Sequence, residues 1–276
     1  MKKKPISNKD FSLNDLPSSR KEQFKTIFKY RLNFVLKWGL LLFVFFLPLL
    51  VSFLYKDFTV LGINSSSISD EEKASAYFSI TIFSSLFILL GSIILSIGLS
   101  GLMKILKELI YDEPIFFKDD FKAGIKENIK SFLSIAIVVG LVNLITNLVS
   151  SLFSNVAFIG YALVGINFAF IYPLCLVCLC LSSFYSNSFL ATIKSSLLIY
   201  IKHFPSVFVS FILLYGISFI DYINIMIVKY VIYLVYLIFL LPIFIIGIYL
   251  NFIRIFDIDI NKDQFPSYYR KGLKKE

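Results

Sequence analysis

Residues that could carry chemistry are sparse in this chain, and three groups of them stand out. Ser100 lies between glycines in G-L-S-G (residues 98–101), and His203 is the single histidine. A serine hydroxyl becomes a nucleophile when an imidazole accepts its proton, so the two would support acyl transfer if the fold brought them together. Cys175, Cys178 and Cys180 form C-x-x-C-x-C. Thiolates at that spacing suit zinc or an iron–sulfur cluster, but such centres take about four ligands and the chain has no second pair. On a helix Cys180 also points away from the other two, and all three read as small apolar residues. Asp119 with Asp120, and Asp70 with Glu71 and Glu72, offer carboxylates for acid–base work. Both groups fall in polar connections, where solvated surface accounts for them. No phosphate-binding loop, dinucleotide fingerprint or H-E-x-x-H occurs. The expectation is a protein that is not an enzyme and holds no cofactor and no metal.

The segments that would have to position these groups are almost wholly apolar. Hydrophobic residues make up 58% of the 276 residues, charged residues only 16%, and mean hydropathy is +0.81. A soluble protein of this composition could not cover its surface with polar groups, whereas lipid accepts apolar side chains facing outward. Apolar runs long enough to cross about 30 Å of hydrocarbon fall at residues 38–55, 77–103, 131–153, 156–184, 204–220 and 230–253. The third and fourth are separated only around Ser154 and Asn155. The expected fold is therefore all-α, a bundle of six membrane spans.

Basic residues set the expected orientation. Lysine and arginine number ten up to Lys37, six over residues 104–130, two over 185–203 and six from Arg254 onward. Three remain for the other side: Lys56, Lys73 and Lys229. Positive residues favour the cytoplasmic side, so both termini are expected there in a plasma membrane. The net charge of +9 then reads as topology and as attraction to anionic headgroups, with no role for nucleic acid. A basic segment ahead of the first run, with no small-residue cleavage site after it, reads as an uncleaved anchor. Heavy use of lysine, isoleucine, phenylalanine and asparagine suggests an AT-rich bacterial genome. Three regions follow: a flexible basic tail at 1–19, the membrane domain at 20–253, and a cytoplasmic tail at 254–276.

Between the spans, one pattern recurs. Phe24, Phe28, Leu32 and Val35 fall at i, i+4, i+8 and i+11, one face of a helix, beside Lys21, Lys25 and Lys29. Phe121, Ile125, Ile129 and Phe132 repeat the offsets beside Lys118, Lys122, Lys126 and Lys130, with Asn128 on the same stretch. Phe189, Ile193, Leu197 and Tyr200 repeat them once more. FKAGIK and FLATIK share F-x-A-x-I-K, and Lys29, Lys126 and Lys194 each sit five residues after the leading phenylalanine. The pattern predicts three amphipathic helices in the headgroup plane, each opening a unit of two spans in a parallel repeat. These helices, on anionic lipid, are the expected places to dock a membrane-protein partner.

Inside the spans, Ser92, Ser96 and Ser100 form one small-residue stripe, and Gly140, Asn143, Asn147, Ser150 and Ser154 form another. Small residues let helices approach and asparagine amides bond across an interface, so helix packing is the first reading. The alternative is a small transporter whose polar pathway follows Asn143 and Asn147, although no ionisable residue marks the middle of any span. Pro48, Pro173 and Pro242 predict kinks in three spans.

Two resemblances bear on function. G-L-S-G with His203 in a six-span chain is similar to the rhomboid intramembrane proteases, which would make Ser100 the nucleophile and His203 the base. This sequence departs from that pattern, since Ser100 falls in the second span and the rhomboid Trp-Arg loop is missing. Residues 98–133 resemble the cytoplasmic loop of the YesL-like family of bacterial membrane proteins, through Pro114, Phe116, Phe117, Phe121, Lys122, Lys126, Asn128 and Lys130. That resemblance implies a multi-span protein connected with carbohydrate uptake, and it brings no catalytic residue. The function expected from all of this is a non-enzymatic accessory or scaffold protein associated with transport.

Overall fold

The computed structural model describes residues 16–153 and 156–274. The expected tail at 1–19 therefore falls mostly outside the described residues, as do Ser154 and Asn155. The described chain is helical throughout, without strands. In order it forms α1 (Arg20–Tyr30), α2 (Leu32–Ser65), α3 (Asp70–Ile110), α4 (Phe117–Leu152), α5 (Phe158–Phe184), α6 (Phe189–Lys202), α7 (Phe204–Tyr222) and α8 (Met226–Gln264). Six of these, α2 to α5 with α7 and α8, are long and apolar enough to cross a membrane. The protein is an all-α polytopic membrane protein.

Local chemistry sets the helix ends. Ser69 caps α3 by accepting from the Glu72 backbone N–H, while the Glu72 carboxylate accepts from the Ser69 N–H at 3.0 Å. Asp70, Glu71 and Glu72 thus lie against the positive end of a helix dipole. Ser188 caps α6 in the same way through the Ala191 N–H. Pro205 occupies the first turn of α7, where its missing N–H costs nothing, and the chain breaks just before it at His203.

The three segments expected to be alike are placed in three different ways. Residues 117–132 do not form a separate surface helix. They are the first turns of α4, which runs unbroken for 36 residues. At 1.5 Å per residue, α4 and the 41-residue α3 are about 54 and 62 Å long, close to twice the hydrocarbon thickness. Both therefore extend well beyond the bilayer, packed side by side. The buried face of α4 is Gly124, Asn128, Phe132 and Ile135, turned toward α3. No proline or break stands between Lys118 and Leu152, so nothing in the sequence divides surface helix from span.

The other two members are separate helices. In α1 the buried face is Arg20, Gln23 and Ile27, rather than the expected Phe24–Phe28–Leu32 line, and Leu32 is exposed. In α6 the buried face is small and polar, with Thr192 and Ser196 beside Ile199 and Tyr200, while Leu190, Leu197, Leu198 and Ile201 face outward.

The densest core lies at the end of the bundle that carries the basic residues. Trp38 at the start of α2, Leu102, Ile105, Leu106 and Ile110 at the end of α3, Leu181 at the end of α5, and Tyr249, Phe252 and Phe256 on α8 are all buried together. Trp38 Nε1 donates to Leu102 O at 2.9 Å and ties α2 to α3 there. Toward the other end, large apolar side chains such as Phe83, Leu86, Phe87 and Leu90 face outward, as lipid contact allows.

Of the three prolines expected to kink spans, Pro48 sits inside an unbroken α2. Pro173 and Pro242 each follow a π-helical turn, Asn167–Ile171 and Tyr236–Leu240. A proline leaves the carbonyl four residues earlier without its helical donor. In α5 the freed carbonyl is Ala169 O, and Tyr200 of α6 donates its hydroxyl to it. In α8 it is Ile238 O, and the backbone of α2 approaches it at Gly39, where a Cβ would stand 2.6 Å from that oxygen and 2.7 Å from Pro242 Cγ. Gly39→Ala is expected to separate α2 from α8 and cost about 1–3 kcal/mol, the usual range for overpacking a well-fitted contact. A thermal midpoint for Gly39→Ala equal to wild type would show that the contact is loose.

Candidate functional site

The basic end of the bundle gathers most of the described charged groups into one interlocked region. Arg20 of α1 reaches Asp257 of α8 at 2.9 Å, with both side chains more than nine-tenths buried. Asp257 also accepts from Asn261 Nδ2 at 2.8 Å, and Asn261 accepts from the Tyr185 hydroxyl at 2.6 Å. Arg20 further donates to Gln23 Oε1 and to Lys271 O, both at 2.9 Å. Gln23 Nε2 donates to Ile110 O at 2.5 Å, which satisfies a carbonyl at the end of α3. The chain after α8 folds back over this region, and Lys274 N donates to Pro17 O at 2.9 Å. Gly272 turns here with φ +77°, a conformation open to glycine, and a Cβ would meet Ile110 O at 2.3 Å. Residues 254–274 are therefore a packed part of the bundle, joined to both α1 and α3.

Beside this region is a cavity of about 200 Å³, lined by Lys104, Lys107, Glu108, Tyr111, Glu113, Glu127, Asn128, Ser183, Tyr268 and Lys271. All lie beyond the apolar run of α3 that ends at Met103, or on the chain segments that meet α3 there. Lys104 pairs with Glu127 and Lys271 with Glu113, each at 2.5 Å. Burial, with Asp120 facing it as a hydrogen-bond partner and like charge, holds the Glu108 carboxyl up at about 7. Asp120 in turn accepts from the Phe116 N–H at 2.5 Å, at the start of α4.

The residues picked out from sequence divide clearly. Lys122, Lys126 and Lys130 form an exposed stripe on α4, and Lys29 and Lys194 are exposed on α1 and α6. Phe189 is exposed, whereas Phe121 is half-buried and packs where α4 meets α3. A Cβ on Gly101 would stand 2.5 Å from Phe121 Cδ2, and one on Gly124 would stand 2.9 Å from Ser100 O. Asn128 is buried and donates to that same Ser100 carbonyl at 3.2 Å. Gly101 is thus the seat on which α4 rests, while Gly98 lies against Phe45 of α2.

The hydroxyls of Ser92, Ser96 and Ser100 turn back to their own helix, donating to Ile88 O, Ile93 O and Ile97 O. Gly140 lies against Leu89, whose Cδ1 a Cβ there would meet at 2.2 Å. Asn143 accepts from the Tyr172 hydroxyl at 2.6 Å, Asn147 donates to Ser85 Oγ at 3.0 Å, and Asn167 donates to Thr146 Oγ1 at 2.6 Å. These bonds join α4 to α3 on one side and to α5 on the other. Along this stripe the side chains therefore make helix-to-helix contacts.

His203 Nε2 lies 2.7 Å from Asp259, which Lys202 also contacts at 2.7 Å. Its partner is this carboxylate, while the Ser100 hydroxyl is fully buried and donates to Ile97 O. The cysteines are free thiols, with Cys178 and Cys180 buried. At the other end of the bundle, Lys229 is buried between Asp57 at 2.7 Å and Asp221 at 3.0 Å, joined by Tyr230 and Tyr233. Sequence reasoning missed this clamp and the Arg20–Asp257 pair. Their signal was an isolated charge at the edge of an apolar run, whose partner lies far along the chain.

No family model, curated protein or solved structure matches this chain.

Two outcomes follow from the basic end. Arg20→Met would leave Asp257 buried without its cation, and the loss of stability should reach about 3–5 kcal/mol in denaturant unfolding. A change below 1 kcal/mol would mean that water enters the pair. Glu108 binds its proton more tightly in the folded than in the unfolded chain. Its contribution is therefore fully present below the ordinary value of 4.5 and is lost as pH rises to about 7. Glu108→Gln should flatten the fall in thermal midpoint across that window, and an unchanged slope would place the proton elsewhere.

Proposed function

We propose that this protein is a non-enzymatic accessory or scaffold protein of a bacterial plasma membrane, with both termini and the basic end of the bundle in the cytoplasm. One observation carries this reading: the lysine stripe of α4. Lys118, Lys122, Lys126 and Lys130 face outward from a helix whose opposite face is locked into α3 through Gly124, Asn128 and Phe132. A rigid helix showing a row of four lysines to water, with Asp119 and Glu127 exposed beside it, suits contact with anionic headgroups or with an acidic face of a membrane-protein partner. The lysine and arginine bias between the two ends supports the orientation. The engagement of Ser100 and His203 with other partners supports a role without acyl-transfer chemistry. Membership of the YesL-like family, and with it an association with transport, belongs to the same reading. It rests on the loop motif at 98–133, the stretch in which α3 and α4 meet.

In-cell photocrosslinking from positions 122, 126 and 130 tests the proposal. The expected result is capture of phospholipid or of one defined membrane protein, lost when Lys122, Lys126 and Lys130 are all changed to Glu. Capture that is identical in the charge-reversed variant would sink the reading.

A further inference from the structure

The cavity beside the end of α3 holds three ammonium groups from two parts of the chain, Lys104 and Lys107 on α3 and Lys271 from the segment after α8. Two are neutralised by Glu127 and Glu113. Lys107 is not: among the described residues it forms no ion pair, and its hydrogen bond is to Phe184 O at 3.3 Å. Its ammonium lies 5.4 Å from the centre of the Phe184 ring and 5.5 Å from that of Tyr268. Burial pulls the proton affinity of Lys107 down, and Glu127 and Glu113 oppose this only from beyond contact.

The third acid on the wall cannot readily supply the missing charge. Glu108 is partly protonated near neutral pH, and its Oε2 is buried without a partner of its own. The lining therefore carries a small excess of positive charge, and Lys107 is the ammonium with no acid in contact. A largely buried ammonium is costly unless an anion pairs with it.

Size and position narrow the anion. A volume of about 200 Å³ admits a small polar group but not an extended chain. Lysines act as point charges toward phosphate oxygens, and three of them suit a tetrahedral group with several acceptors better than a single planar carboxylate. Lys104 is the first charge past the apolar run, so the opening lies at the depth where headgroup phosphates sit. Glu113 and Glu127 are 40% and 57% exposed, free to turn outward as an incoming anion takes their places.

We propose that this cavity is a phosphate-binding site, in which Lys107 holds a phosphoryl group with Lys104 and Lys271 closing over it. The group arrives either on a phospholipid headgroup or on a small soluble phosphoester. The site does not depend on the scaffold reading, which concerns the outer face of α4.

The test uses the full chain purified in detergent and freed of lipid. Thermal unfolding and ³¹P line width are followed with inorganic phosphate and glycerol 3-phosphate in one arm. The other arm uses phosphatidylcholine nanodiscs with and without phosphatidic acid, and acetate at equal ionic strength is the control. A rise in midpoint with the soluble ligands assigns the site to a soluble phosphoester. A rise confined to the phosphatidic acid nanodiscs assigns it to lipid, and either supports the proposal. Lys107→Gln should weaken binding by about tenfold or more, the usual worth of a charge-assisted bond. Without phosphate it should unfold at or above the wild-type temperature, because an uncompensated charge has gone. Should Lys107→Gln fail to fold, Lys271→Gln serves as the second variant and should also weaken binding. No shift in either arm, an equal shift with acetate, or phosphate binding unchanged in the folded variants would overturn it.

Discussion

The buried pair between Arg20 and Asp257 is the constraint on which the basic end of this protein depends. Two charges removed from water recover little from mutual attraction alone, so the surrounding bonds matter as much as the pair. Asp257 is held also by Asn261, and Asn261 by Tyr185, while Arg20 reaches Gln23 and the Lys271 carbonyl. Four separate parts of the chain are fixed by this one network: α1, the end of α5, the last turns of α8 and the segment that follows it. Gln23 extends it to α3 through Ile110 O.

The position of the core follows from the change of solvent along the helices. Within hydrocarbon, an apolar side chain gains little by turning from lipid to protein, and packing there relies on small residues and interhelical hydrogen bonds. Gly91, Gly140, Asn143, Asn147 and Asn167 do that work. Beyond the hydrocarbon water returns, and apolar surface must be covered. Helices as long as α3 and α4 carry Leu102, Leu106, Ile110 and Phe132 toward that zone, and these are among the most buried residues of the molecule. The densest packing is therefore at one end rather than at mid-depth.

Much of this was legible in the sequence. The six apolar runs correspond to six helices, because length and hydropathy are local properties read over some twenty residues. The lysine stripe of α4 was legible for the same reason, being a periodicity within one helix. The inward face of that helix was not: the repeat of Phe121, Ile125, Ile129 and Phe132 suggested lipid, but Phe121 and Phe132 turn to α3 together with Gly124 and Asn128. Which side of an amphipathic stretch is covered depends on the neighbour, and a 36-residue helix with no proline gives no sign of where bilayer ends and protein contact begins. Arg20 with Asp257, and Lys229 with Asp57, were illegible for a plainer cause. Their partners lie 237 and 172 residues apart.

That separation has a consequence for how the molecule is made. The chain emerges from the ribosome N-terminus first, so α1 is complete long before Asp257 and the segment after α8 exist. Arg20, which ends almost wholly buried, must wait in water or at the bilayer surface while six spans are inserted. Only after residues 257 to 272 have left the exit tunnel can the first helix find its seat. Closure of the basic end thus comes only after the six spans before it have been made. A chain that stalled or inserted one span wrongly would leave α1 undocked, with Arg20, Gln23 and Ile27 exposed. In a cell, that exposed face is a feature by which quality control could tell an unfinished chain from a finished one.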